Sequence, residues 1–210
     1  MFRPTTFRFL TAASAALLIS ACGDSSGPGG DGSTRLSVHL TDAPGDVVAA
    51  VVTVDQVYLQ GGPDGRVDLL TEPFTVDLVD LADATTTIVA DAGIDAATYG
   101  ELRFVISGGY VEVDDGNGGT GIYASSATYE GLPSGAVVAG ELQMPSLGQS
   151  GLKVKFDAPL VFEGDVDLLV DFDVAQSFGH AAGQSGKWVM HPVITGARLE
   201  PDRGGNRGGR

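Results

Sequence analysis

The sequence predicts an all-β domain: a two-sheet antiparallel β-sandwich, immunoglobulin-like or transthyretin-like, with a closed β-barrel as the runner-up. Three observations carry that expectation. Apolar and polar residues alternate in short runs, the period of a half-buried strand. Between the runs stand many of the chain's 31 glycines and 10 prolines, the residues that end strands and set turns. No stretch of the body shows the apolar period of a long amphipathic helix. Roughly nine or ten short strands are expected, enough for two packed layers.

The chain opens with an address. Residues 1–8 carry Arg3 and Arg8 and no acid, and residues 9–21 are an uncharged run of apolar and small side chains, the pattern of an export signal. A membrane-spanning helix needs about 20 apolar residues, more than this run offers, so residues 1–21 read as a cleaved signal peptide. Ile19, Ser20 and Ala21 resemble the bacterial lipobox, after which the lipoprotein signal peptidase cuts before a diacylglyceryl-modified cysteine. That cysteine is Cys22, the only one in the chain, so no intrachain disulfide or Cys-based metal cluster is possible and Cys22 is the expected lipidation site. Each buried methylene of a palmitate-like chain contributes about 0.8 kcal/mol, and stable anchoring takes more than one chain.

Residues 22–34 form a flexible Gly/Ser tether, too polar to bury anything, with a root-mean-square reach of about 20 Å. Residues 35–201 suit a single β-sandwich domain with one core. Residues 202–210 read as a disordered basic tail carrying Arg203, Arg207 and Arg210. The net charge of -15 becomes more negative still once Arg3 and Arg8 leave with the signal. Phosphate repels such a surface, which argues against a nucleic-acid partner. Gly23 separates the lipidated cysteine from Asp24, which favours the outer membrane over retention at the inner one.

The body follows in order. Leu36, Val38 and Leu40 share one face of a first strand, opposite Ser37, His39 and Thr41. Residues 42–46, Asp-Ala-Pro-Gly-Asp, are turn chemistry. Residues 47–60 read as a long strand whose apolar parity slips at Asp55 and Gln56, as a β-bulge would cause. Residues 67–70, 74–81 and 85–90 are further strand candidates. In residues 98–107, Leu102, Phe104 and Ile106 share a face. Residues 114–119 are the tip of a hairpin between strands at 110–113 and 121–124.

Every even position from Leu152 to Phe162 is apolar or small, with Lys153, Lys155, Asp157 and Pro159 outward. After a turn at residues 163–165, Val166, Leu168, Val170 and Phe172 point inward. The two runs are expected to pair as an antiparallel hairpin, with Pro159 marking an edge or a bulge. Residues 187–199 supply a closing strand, with Trp188, Met190 and Ile194 on one parity.

Several of these pieces together resemble a family of bacterial lipoproteins that carries the domain of unknown function numbered 4382. They are LSVHLTDAPGD near the start, TVDLVDLADA and ATYGELRFVIS in the middle, and LLVDFDVAQSF with WVMHPVI near the end. The order covers almost the whole body. Asp95-Ala96-Ala97-Thr98-Tyr99 stands where such families usually read Pro-Ala-Gly-Thr-Tyr. The resemblance implies an exported lipoprotein β-domain and hands over no activity.

The candidate chemistry lies in the acids. In the expected hairpin Asp157 faces Asp171 and Lys155 faces Asp173, and facing like charges call for neutralisation. Calcium held by Asp157, Asp171 and Asp173, with Asp42 from its loop, would supply it. The alternative is an exposed ion-pair ladder with Lys153 and Lys155 together with turn capping. Residues 114–119 evoke a calcium loop but lack the closing glutamate of an EF-hand. His39, His180 and His191 show no HExxH, and the chain has no GxSxG or phosphate-loop pattern. Trp188 shares the parity of core residues, which favours packing over sugar stacking.

These observations lead to one expectation: a non-enzymatic, lipid-anchored binding or scaffold module of the cell envelope. It needs no cofactor, it meets the membrane through Cys22, and its partner is an envelope protein or a glycan. The alternatives are a calcium-dependent glycan-binding or adhesion module and an envelope hydrolase.

Overall fold

Leu36, Val38 and Leu40 are at most 1% exposed, and the strand that carries them, β1 (Ser33–Thr41), sits inside one of two sheets. The computed structural model describes residues 33–42, 47–70, 72–144, 150–178 and 186–199. The signal, Cys22, most of the tether, His180 and the basic tail lie outside the described residues.

The chain continues through β2 (Ala49–Gly61), β3 (Arg66–Asp68), β4 (Phe74–Asp77), β5 (Thr86–Asp95), β6 (Thr98–Asp114), β7 (Thr120–Ala124) and β8 (Val138–Gln143). Three short strands follow, β9 (Leu152–Lys153), β10 (Lys155–Phe156) and β11 (Leu160–Val161). The last elements are β12 (Val166–Phe172), a one-turn helix α1 (Val174–Ser177), β13 (Lys187–Val189) and β14 (Ile194–Leu199).

One sheet runs β10-β14-β12-β1-β5. The other runs β13-β8-β7-β6-β2-β3, with β4 also on β2 and with β9 and β11 also on β6. Among the described residues the strands make two open sheets and no closed barrel, so the β-sandwich is the fold. Not every pairing is antiparallel: β1 with β12, β10 with β14, β13 with β8, and β7 with β8 run parallel.

Period two identified the inward faces correctly. Val52, Val54, Val57 and Leu59 of β2, Leu102, Phe104 and Ile106 of β6, and Leu168, Val170 and Phe172 of β12 are buried together in one core. Fully burying such a side chain contributes about 1.5–3 kcal/mol, so this shared interior holds the two layers face to face.

Strand extents and pairing partners differ from the expectation in four places. Residues 74–81 are not one strand. The Asp77 carboxylate accepts the N–H groups of Ala50 and Val79 at 3.0 and 3.1 Å, which ends β4 and starts a 3-10 turn at Val79–Leu81. Residues 98–107 and 110–113 are a single 17-residue strand, β6, because Gly108 and Gly109 continue it.

The expected hairpin of residues 152–173 does not form. Its first run is broken: β9 and β11 pair with β6 in one sheet, while β10 between them pairs with β14 in the other. Both sheets face the same core, so a stripe of inward apolar residues is satisfied by either, and this segment closes one side of the sandwich by using both. Pro159, with no N–H to donate, stands in the gap between β10 and β11. The second run, β12, pairs with β1 and β14. Residues 187–199 likewise split at Pro192 into β13 and β14, which belong to different sheets.

Candidate functional site

Two places gather polar side chains. The first is the corner where β1 and β12 end. Asp42 is 5% exposed, and its Oδ1 accepts the N–H of Val174, the first residue of α1, at 2.9 Å. Asp173 caps the same helix, its Oδ1 accepting the Gln176 N–H at 2.8 Å while its Oδ2 accepts the Gln176 side-chain amide. Ser177 is fully buried and its hydroxyl oxygen accepts the Val193 N–H at 2.9 Å. Its carbonyl accepts the His191 N–H at 2.8 Å. The Trp188 indole donates to the Phe178 carbonyl at 2.6 Å, and the Trp188 ring lies 5.2 Å from that of Tyr123.

This corner joins three of the stretches that carry the family resemblance: the end of LSVHLTD, DFDVAQSF and WVMHPVI. Their polar groups largely satisfy one another's backbone, the requirement for burying them. Asp171 differs. It lies in register with Thr41 on one side and Thr195 on the other, and its Oδ1 is buried with no hydrogen-bond partner among the described residues. The Thr41 hydroxyl donates instead towards the carbonyls of Leu81 and Ala84. Desolvation raises the Asp171 pKa above its ordinary value, and the charge of Asp173 raises it further.

The four acids proposed for calcium are therefore not assembled as the hairpin would have placed them. Asp157 stands exposed at the bend after β10 and has no register with Asp171. Lys155 is in register with Thr195, not with Asp173. Among the described residues no group of three or more His, Cys, Asp or Glu side chains is arranged to hold a metal ion. The charge ladder exists elsewhere, on the outer face of β6: Glu101 meets Lys153 at 2.6 Å and Arg103 at 2.5 Å. These two contacts, Lys153 first, hold the Glu101 carboxyl below its usual range. In residues 114–119 the carboxylates accept their own loop's N–H groups, Gly116 on Asp114 at 2.6 Å and Asn117 on Asp115 at 2.7 Å, which makes a hairpin tip.

His39 spans three strands, its Nδ1 3.0 Å from the Thr87 hydroxyl and its Nε2 3.6 Å from the Asp167 carboxylate. The hydroxyl is a threonine's, the acid lies beyond hydrogen-bond distance, and the group stands outside each groove described below. His191 is exposed.

The second place lies on the sheet that holds β2 and β6. On the outer face of β2 and β6 a groove of about 620 Å³ is lined by Thr53, Asp55, Pro73, Phe74, Thr75, Ser107, Gly108, Tyr129, Glu130 and Gly131. Two irregularities in the β2–β6 ladder shape it. Thr53 pairs with Gly108 and Val54 with Ile106, which leaves Ser107 as an extra residue. Gln56 then pairs with Val105, which leaves Asp55 as another. These back-to-back bulges flank the buried Val54–Ile106 pair and turn both extra side chains outward, where the Ser107 hydroxyl donates to Asp55 Oδ1 at 2.7 Å.

Beside them runs a line of hydroxyls, Thr75 to Thr53 at 2.8 Å and Thr53 to Tyr129 at 2.6 Å. Tyr129 comes from the segment after β7, which lies over a small second cluster of Ala49, Val51, Tyr110 and Ala124. Gly108 makes room for it, since a Cβ there would stand 2.8 Å from the Tyr129 ring. The parity slip at Asp55 and Gln56 signalled half of this arrangement. Nothing local marks Tyr129, whose role depends on a chain reversal. Smaller grooves lie at Ser125, Glu141 and Met144, about 410 Å³, and at Phe156, Asp157 and Arg198, about 280 Å³.

Comparison with curated proteins and with solved structures finds no match. One family profile does match, over residues 33–192, a span that takes in every strand from β1 to β13 and most of the sequence that converges on the α1 corner. The chain belongs to the family defined by the Domain of unknown function (DUF4382).

Proposed function

We propose that this protein is a lipid-anchored β-domain of the cell envelope that acts as a non-enzymatic binding or scaffold module. The observation that supports binding most directly is the groove over the β2–β6 bulges, a concave site of the size small ligands use, built on strands and lined by polar groups that face solvent. Support for the anchor comes from the sequence: the uncharged run of residues 9–21 ends in Ile-Ser-Ala before the single cysteine, Cys22. The acidic net charge favours solubility of the body and a partner that is not anionic.

Crosslinking in intact cells followed by membrane fractionation and affinity capture tests the reading, with wild type and Cys22→Ala side by side. Wild type is expected in the outer-membrane fraction with a reproducible crosslinked partner, and Cys22→Ala is expected to leave that fraction. Retention of Cys22→Ala in the membrane overturns the lipid anchor. Wild type without any crosslinked partner overturns the binding role.

A further inference from the structure

We propose that the groove over the β2–β6 bulges binds a short, uncharged saccharide. The inference rests on reading the protein as a binding module and names the ligand class of that module.

The lining chemistry selects the class. None of the ten lining residues is Lys, Arg or His, and two, Asp55 and Glu130, are carboxylates. An anionic ligand, whether a phosphate, a sulfate or a uronic acid, would meet only repulsion there and in the net charge of -15 around it. What the groove offers is hydroxyls. Thr75, Thr53 and Tyr129 hold three O–H donors and form two hydrogen bonds among themselves. One donor and several lone pairs therefore remain for a ligand. Asp55 accepts one bond from Ser107, and an ionised carboxylate has room for more. Glu130 is exposed and adds a second acceptor.

A saccharide complements such a lining, because each of its hydroxyls donates to a carboxylate or accepts from an alcohol, while its C–H faces rest on apolar surface. Pro73, Gly108 and the Tyr129 ring supply that surface. A cationic side chain would instead call for convergent carboxylates, whereas Asp55 shares its charge with the Ser107 hydroxyl and Glu130 stands exposed to solvent.

The supports are fixed before a ligand arrives. Asp55 and Ser107 are held by the ladder on both sides of their bulges, and Tyr129 is fixed by its bond to Thr53 and by the close fit over Gly108. A site built this way loses little conformational freedom on binding.

The test uses the full chain extracted in detergent. It is titrated calorimetrically with neutral gluco-, manno- and galacto-configured trisaccharides, a uronic-acid trisaccharide and an oligolysine peptide. Saturable binding of at least one neutral sugar is expected, with none for the uronic acid. Asp55→Asn and Thr75→Ala should each weaken it by roughly tenfold, the worth of one hydrogen bond to ligand, with unchanged melting temperatures as the folding control. Glu130→Gln, on an exposed side chain of the lining, is the second variant should either of those fail to fold, and it too should weaken binding severalfold.

Failure of every neutral sugar overturns the proposal, as does binding that Asp55→Asn and Thr75→Ala leave intact. Oligolysine binding that depends on Asp55, in the absence of sugar binding, also overturns the saccharide while the binding module stands. Loss of the crosslinked partner in cells, by contrast, counts against the module itself.

Discussion

The α1 corner and the β2–β6 groove are both places where aspartates meet hydroxyls at the edge of regular structure, and they differ in where those groups point. At the corner, Asp42 and Asp173 turn towards backbone N–H groups of α1 and Ser177 towards that of Val193, so the acids and the alcohol complete the fold. In the groove, Asp55 and Ser107 are pushed out of the ladder and their side chains bond each other, and the Thr75–Thr53–Tyr129 line borders solvent. Buried polar groups must be paired, and groups paired with their own backbone have little left to offer a ligand. The acids therefore play different parts: Asp42 and Asp173 are turned to the backbone of α1, whereas the bulged Asp55 faces the open groove.

The contrast makes graded expectations. The largest effect belongs to Asp42→Ala, which leaves the buried Val174 N–H without its acceptor; a loss of about 2–3 kcal/mol is expected in chemical denaturation. A value within error of zero would remove the structural assignment of the corner. Gly108→Ala comes next. Its methyl would meet the Tyr129 ring at 2.8 Å, so the covering segment must shift, at a cost of about 1–2 kcal/mol. If stability is unchanged, the segment over the groove is not held by that fit.

The smallest shift is expected for Asp171→Asn, and it has a sign that depends on pH. A carboxyl whose folded pKa is raised above its ordinary 3.8 binds its proton more readily folded than unfolded. Wild type therefore gains stability from this group as pH falls from neutral through the raised pKa, and the gain is complete below the unfolded value. Asn carries no such dependence, so the variant should melt slightly higher than wild type at neutral pH and lose that advantage in acid. Melting curves across that range check it. The same curves with calcium up to millimolar are expected to superimpose; a saturable rise abolished by Asp171→Asn would restore a cation to the corner.

How much of this was legible follows from what period two encodes. The inward faces of β1, β2, β6 and β12 were readable because each alternation places one stripe against the core. The slip at Asp55 was readable because a bulge breaks that alternation. The partner of the Leu152–Phe162 run was not, because both sheets offer an equally apolar inner face, and with the partner went the facing aspartates of the supposed calcium site. Ser107 escaped notice because the glycines after it carry no side chain to show parity. Val138–Gln143, half-exposed and pairing in parallel with β7, gave too faint an alternation to be seen.

The sequence by itself thus determined the class of fold, the faces of its strands and the family. Those are set by local pattern, by periodicity and by short motifs read along the chain. Only the tertiary structure decided which strands are neighbours, that Asp42 and Asp173 cap one short helix, and that Tyr129 closes over Gly108 beside two back-to-back bulges. Each of those depends on pairing between residues far apart in the chain, and an apolar stripe specifies burial without specifying against what.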